Sequence, residues 1–287
     1  RARILNPQLA VQPFSVAYAP NVADLPGCMP LNARQSCAVD ASLTQDLVLV
    51  EGPPGTGKTK TTAACVYHNA HQGRGPVLVC APSNVASSNL ALACRKLSLK
   101  VIRYFPSGRD ARVLALGLPL EVLIEHWISP GSDLDKLLQL QRTAGDLSDD
   151  DRRLLKKLER GLYGKALENV DVICCTCSAA GSLPIASRSF HTVFIDEAGQ
   201  ATEPEALVPI TNGAHRLVMV GDTRQLRPVV MCDAARRGGL AISLFERLRM
   251  GGAAHVALNA QYRMHPAISA FPARAFYDGS LIDGSSQ

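Results

Sequence analysis

The stretch GPPGTGKT, residues 52 to 59, follows the apolar run LVLVE and opens a helix-forming segment. Gly52, Gly55 and Gly57 permit a tight loop whose backbone N–H groups point inward, and the helix N-terminus behind it adds a positive dipole end. Such a loop works only between a strand and a helix, so this octet commits the chain to alternating α/β structure. Gly52, Pro53, Pro54, Gly55, Thr56 and Gly57 would wrap nucleotide phosphates. Lys58 would reach the β and γ phosphates as a point charge, and the Thr59 hydroxyl would hold Mg2+. A chance match to this pattern in a chain of 287 residues is on the order of one per cent.

The rest of the chain agrees with that commitment. Short Val- and Ile-rich runs recur at 47–52, 77–82, 100–105, 171–176, 192–197, 216–222 and 255–261. They are too short for buried helices and suit strands covered on both faces of a parallel sheet. Helical stretches separate several of them, so the fold class is α/β with a parallel central sheet. From about 118 to 169 strand signals stop, and two leucine-spaced polar stretches predict an antiparallel helix pair, the second capped by Ser148. A solvated face is the plain reading of that pair; a nucleic-acid or partner contact by Arg152, Arg153, Lys156 and Lys157 is the alternative. Residues 1–30 hold five of the eighteen prolines, as a linker or the remnant of a preceding domain would.

Hydrophobic residues make up 47% of the chain and the net charge is +5, enough for a packed core but too little charge to announce nucleic-acid binding unaided. No run of about 18 apolar residues is present, so no membrane partner is expected, and a cytoplasmic location is, with the nucleus as alternative. Most of the nine cysteines lie in apolar runs and read as reduced thiols. Cys174 and Cys177 have metal-ligand spacing, but no second pair follows, and strand alternation would turn them to opposite faces.

A phosphate loop specifies a nucleotide, not a reaction. In TVFIDEAGQ an apolar strand delivers Asp196, placed to hold magnesium through water, and then Glu197, suited as a general base for an attacking water. Hydrolysis is therefore favoured over transfer. VGDTRQLRPVV ends a further strand at Asp222 and places Gln225 in a turn, where its amide can sense a γ-phosphate.

Taken in order, LNARQSCAV, GPPGTGKT, VLVCAPSNVA, VICCTCSAAGS, FIDEAGQATEPEALVPI, GDTRQLRPVV and LNAQYRMHPAISAFPARAFYDGSL resemble the first motor domain of superfamily-one helicases. The likeness covers about 31 to 283 and is specific to the up-frameshift-like branch, which includes helicases of nonsense-mediated mRNA decay. It implies a RecA-like P-loop NTPase domain over 31–287, with the helical insertion at 118–169 and a second RecA-like domain required as partner but absent from this chain. It implies ATP and Mg2+ as cofactors, 5′-to-3′ movement on single-stranded RNA or DNA, and decay-factor proteins as partners. By the same resemblance Gln35 would read the adenine edge, Tyr262 would stack on the base and Arg263 would clamp the γ-phosphate. On the opposite face, Pro82, Ser83, Asn84, Thr176 and Ser178 would touch the nucleic-acid backbone. Ser88, Arg227 and the DEAGQ wording depart from the family's usual pattern. A repair helicase of the same branch and a scaffold module without turnover are the competing expectations.

Overall fold

Leu47 and Leu49 pack into one hydrophobic cluster while Val48 and Val50 pack into another, because alternate residues of a strand face opposite sides. Both sides of the strand are therefore covered. The computed structural model describes residues 25–27, 30–106, 118–119 and 122–284. The expected linker at 1–30 lies almost wholly outside them.

The strands are β1 (Leu47–Glu51), β2 (Val77–Ala81), β3 (Val101–Arg103), β4 (Val172–Thr176), β5 (Thr192–Ile195), β6 (Arg216–Gly221) and β7 (His255–Ala257). They form one parallel sheet in the order β3-β4-β2-β5-β6-β1-β7. Helices α1 (Ala33–Thr44), α2 (Lys58–Ala70) and α3 (Asn84–Lys96) cover the face that carries Val48, Val79 and Val218. After α4 (Asp133–Ala144), the end of α5 (Asp149–Ala166) and the residues just beyond it reach the other face, where α6 (Glu203–Ile210) and α7 (Leu244–Met250) also pack. Fully buried side chains such as Phe194 at the sheet centre each contribute about 1.5–3 kcal/mol from removal of apolar area from water.

Two expectations need revision. The run 255–261 is not one strand. β7 ends at Ala257, and β8 (Ala260–Gln261) leaves the main sheet to pair with β9 (Ile282–Asp283). The helix pair is also more than a solvated appendage. Ser148 does cap α5, accepting from Asp151 N, and Leu134, Leu137, Leu147 and Leu155 make a small core of their own. Tyr163, Ala166 and Leu167 then enter the main core, with Tyr163 edge-on to Tyr104 at 5.2 Å. Arg152 and Arg153, offered as contacts to a partner, pair with Asp146, Asp149 and Asp150 beside them.

The strand alternation expected for the cysteine pair holds. Cys174 packs on the α2–α3 face and Cys177 on the other. Hydrogen bonding with Cys94 and burial raise the Cys174 thiol well above its ordinary pKa, and burial does the same to Cys177. Protonated thiols on opposite faces make no zinc site. Prolonged dialysis against a strong chelator should leave the melting temperature unchanged, and metal analysis of the purified chain should find no stoichiometric zinc.

Candidate nucleotide site

The sheet order sets β5, β6 and β1 side by side, so the loops leaving their carboxyl ends converge. Glu51 pairs with Gly221 in register, and Gly52 N donates to Gly221 O at 2.9 Å, placing the phosphate loop against the end of β6. The next junction is closer still. A Cβ on Gly199 would lie 2.9 Å from Asp222 O, and one on Gly221 would lie 3.0 Å from Gly199 N. The turns after β5 and β6 therefore touch backbone to backbone, which only glycine allows.

Within the phosphate loop, Gly55 and Gly57 both have φ +80, and Thr56 closes the turn with its hydroxyl donated to Pro53 O. Pro53 is buried and Pro54 half-buried along the same turn. Lys58, the first residue of α2, donates its Nζ to Gly52 O at 2.8 Å. It thus spans the loop from inside, where an arriving phosphate can take over the ammonium. Thr59 is exposed at the start of α2.

Asp196 follows β5, only 3% exposed, and its N donates to Cys80 O. Burial first, then the charge of Glu197, raises its pKa to about 7, against smaller opposing effects that include Lys58 and the Thr62 hydroxyl. Its Oδ1 is buried with no hydrogen-bond partner among the described residues. A desolvated, unsatisfied carboxylate oxygen suits a hard divalent cation, so Asp196 fits magnesium, which it would hold with the Thr59 hydroxyl. Glu197 has φ +50, a strained left-handed conformation for a side-chain-bearing residue, and accepts from Gln200 Nε2 at 3.2 Å. Gln225 donates to Asp222 Oδ2 at 2.6 Å. That same oxygen accepts from Tyr277 at 2.8 Å, and burial and the Asp222 carboxylate raise the phenol's pKa.

The closing wall comes from residues 261–264. Tyr262 N donates to Gly55 O at 2.9 Å, and a Cβ on Gly55 would strike Arg263 Cβ at 2.8 Å, so this turn seats directly on the phosphate loop. Tyr262 is 53% exposed, and its hydroxyl accepts from Asn32 Nδ2. The guanidinium of the exposed Arg263 has no polar partner among the described residues. Gln35 is placed at the loop, with each of its amide atoms holding one hydrogen bond. Nε2 donates to Thr56 O at 3.1 Å, and Oε1 accepts from Asn32 N at 3.1 Å.

Three contributors escape motif reading. Gln261, buried, accepts from Arg263 N and Met264 N through Oε1 and donates to Met264 O and Asp283 through Nε2, so it shapes the turn that presents Tyr262 and Arg263. Nothing in the spacing announces that. Asn32 could have been found, because N-x-x-Q is a capping-box signature and Asn32 and Gln35 form that box on α1. Tyr277 sits far along the chain and carries no signal.

The residues assigned to nucleic acid lie elsewhere on the same edge. Pro82, Ser83 and Asn84 follow β2, and Thr176 and Ser178 end or follow β4. This corrects the expectation of an opposite face. Both loops leave carboxyl ends, as the phosphate loop does, and β5 and β6 separate them from β1. Cys177 N donates to Ala81 O, which holds the two loops together. Ser83 is exposed and caps α3, Thr176 accepts from Ala179 N, Ser178 reaches Glu205 at 3.4 Å, and Asn84 accepts from Arg103.

An anion cradle one strand removed from a cation-seeking carboxylate is what a nucleoside triphosphate and its metal require, and it defines a P-loop nucleotide-binding domain. Comparison with known proteins narrows this. Residues 30–119 and 128–233 match a family model described as an AAA domain, and 240–287 match a second with the same description. The chain is 47% identical over 266 residues to a regulator of nonsense transcripts 1 homolog of Arabidopsis thaliana, covering 91% of this chain and 21% of that protein. It is 44% identical over 276 residues to regulator of nonsense transcripts 1 of Caenorhabditis elegans, covering 96% and 25%. With ATP-dependent helicase NAM7 of Saccharomyces cerevisiae it shares 42% over 283 residues, covering 98% and 29%. The chain belongs to the AAA-domain family. It spans about a quarter of the length of these relatives.

Asp196 makes a pH test available. Its folded pKa is raised, so between the ordinary carboxylate range and about 7 the folded chain holds a proton that the unfolded chain releases. Its contribution to stability therefore falls as pH rises through that window. Without metal, Asp196→Asn should melt about 3 °C or more above the parent at pH 8. The gap should close toward pH 4, as calorimetry across the range will show.

Proposed function

We propose that this chain is the first motor lobe of an ATP-driven helicase that moves 5′ to 3′ on single-stranded RNA or DNA. The observation that carries the reading is the unsatisfied Asp196 oxygen beside Glu197, one loop away from the Lys58–Gly52 contact. Relatives named regulator of nonsense transcripts 1 support a role in nonsense-mediated mRNA decay, with decay factors as partners and a cytoplasmic location where such transcripts are translated.

The residues divide the work. Lys58 exchanges the Gly52 carbonyl for phosphate oxygens. Asp196, as its carboxylate, and the Thr59 hydroxyl would hold magnesium, which when bound would supply charge neutralisation and polarise the phosphoryl group. Glu197 accepts the proton of the attacking water as the new P–O bond forms and the bridging P–O bond breaks. The guanidinium of Arg263, without a polar partner among the described residues, meets charge that builds on the transferring phosphoryl group. Gln225, tethered to Asp222, reports the presence of the γ-phosphate. Tyr262 offers a half-exposed ring for the base. Gln35 would read the adenine with the amide donor and the carbonyl lone pair that its bonds to Thr56 and Asn32 leave over. Pro82, Ser83, Asn84, Thr176 and Ser178 contact the strand backbone without reading its sequence.

A second RecA-like lobe is needed to complete the nucleotide cleft. Alone, this chain should bind ATP weakly and turn it over very slowly. In the longer protein that includes the following lobe, single-stranded RNA or DNA should stimulate hydrolysis. There Glu197→Gln should lower kcat about 10²-fold or more while nucleotide binding persists. Steady-state ATPase assays with each strand type check this. Stimulation by neither strand rejects the helicase reading, and brisk RNA-stimulated turnover by the lone chain rejects the half-motor reading.

A further inference from the structure

Arg103 ends β3 and is 1% exposed, the largest fully buried side chain among the described residues. A guanidinium keeps its charge in proteins, and a buried charge is expensive unless a carboxylate faces it. Here no acidic side chain among the described residues pairs with it. Its partners are all neutral. Nε donates to Ser88 Oγ at 3.3 Å, Nη1 to the carbonyls of Tyr104 and Cys174, and Nη2 to Asn84 Oδ1 at 2.8 Å. The guanidinium also lies over the Phe105 ring, 4.0 Å from its centroid.

The geometry has a direct consequence for Asn84. Arg103 can only donate, so the Asn84 carboxamide must turn its oxygen inward and its amino group away. That amino group has no partner among the described residues, and Asn84 is half-buried beside the exposed Ser83. A phosphodiester oxygen needs the donor that this arrangement leaves facing outward. The uncompensated charge beneath it adds a positive potential at the same place.

We propose that Arg103 is the positioning residue of the strand-binding loop at Pro82–Asn84. It fixes the Asn84 amide with its donors outward and lends the loop a buried positive charge that a nucleic-acid backbone neutralises. This rests on the nucleic-acid reading given above. The role does not require Arg103 to touch the strand, and it does not discriminate between RNA and DNA.

The test uses Ser88, which touches the guanidinium directly. Ser88→Asp gives Arg103 a counterion without removing the Asn84 contact, and Ser88→Asn is the neutral control. Binding of a fluorescein-labelled 12-mer of uridine, and of the thymidine equivalent, is read by anisotropy at low and high salt. Ser88→Asp should raise the melting temperature yet weaken binding on the order of 5-fold at low salt, with the difference shrinking at high salt. Ser88→Asn should bind as the parent does. In 15N spectra the Asn84 side-chain amide should shift on oligonucleotide addition, and Arg103→Lys should displace that resonance before any oligonucleotide is added. Parent-like binding by Ser88→Asp, or an Asn84 amide indifferent to Arg103→Lys, overturns the inference while leaving the nucleic-acid reading intact. A parent chain that binds neither oligonucleotide overturns that reading and the inference with it.

Discussion

At the carboxyl edge the turns after β5 and β6 approach more closely than a Cβ would permit, the phosphate loop is hydrogen-bonded to the end of β6, and the nucleotide site depends on both. Gly52 lies against Lys58, Thr56 and Leu258, Gly199 against the Asp222 carbonyl, and Gly221 against the Gly199 amide. The parallel register of β5, β6 and β1 supplies the alignment, but register alone leaves room for side chains between loops. Glycine removes that room. A cation-binding carboxylate and a phosphate loop thereby come within reach of one small ligand.

Much of this was legible beforehand, for physical reasons. Strands buried on both faces read as uninterrupted Val and Ile runs, so the seven segments stand out whatever their tertiary neighbours. The phosphate loop is local chemistry: its glycines, lysine and threonine act within eight consecutive residues. Less legible were side chains whose work is to satisfy backbone groups elsewhere. Gln261 serves its own turn and Asp283, and Tyr277 serves Asp222. Such pairings depend on tertiary approach, and their residue types are ordinary. The split at 258–259 was hidden for a related reason. Its residues keep strand-like composition, and the ladder stops because its partner β1 gives way to the phosphate loop after Glu51.

The site is also a place where the fold accepts a penalty. Asp196 is desolvated beside a second acid, Glu197 holds a left-handed backbone, and Arg103 is buried without an anion. The desolvated Asp196 and Arg103 are unfavourable in the empty chain and would be relieved by ligands of opposite charge, while the Glu197 backbone is a local steric strain. A stability-optimised version of this domain would replace all three. Their presence along one edge supports the proposed binding of charged partners there, independently of any motif.

The edge-on contact of Tyr163 with Tyr104 bears on how this domain can diversify. The distal part of the helix pair has its own leucine core and a short connection at 145–148, so residues there can be gained or lost without exposing the sheet. The base of the pair differs, since Tyr163, Ala166 and Leu167 are core residues of the sheet itself. The insertion is thus rooted rather than merely attached. Its tip is free to vary in length and chemistry between paralogues, while excision at the root would unroof the sheet face that Tyr104 and Ile173 occupy.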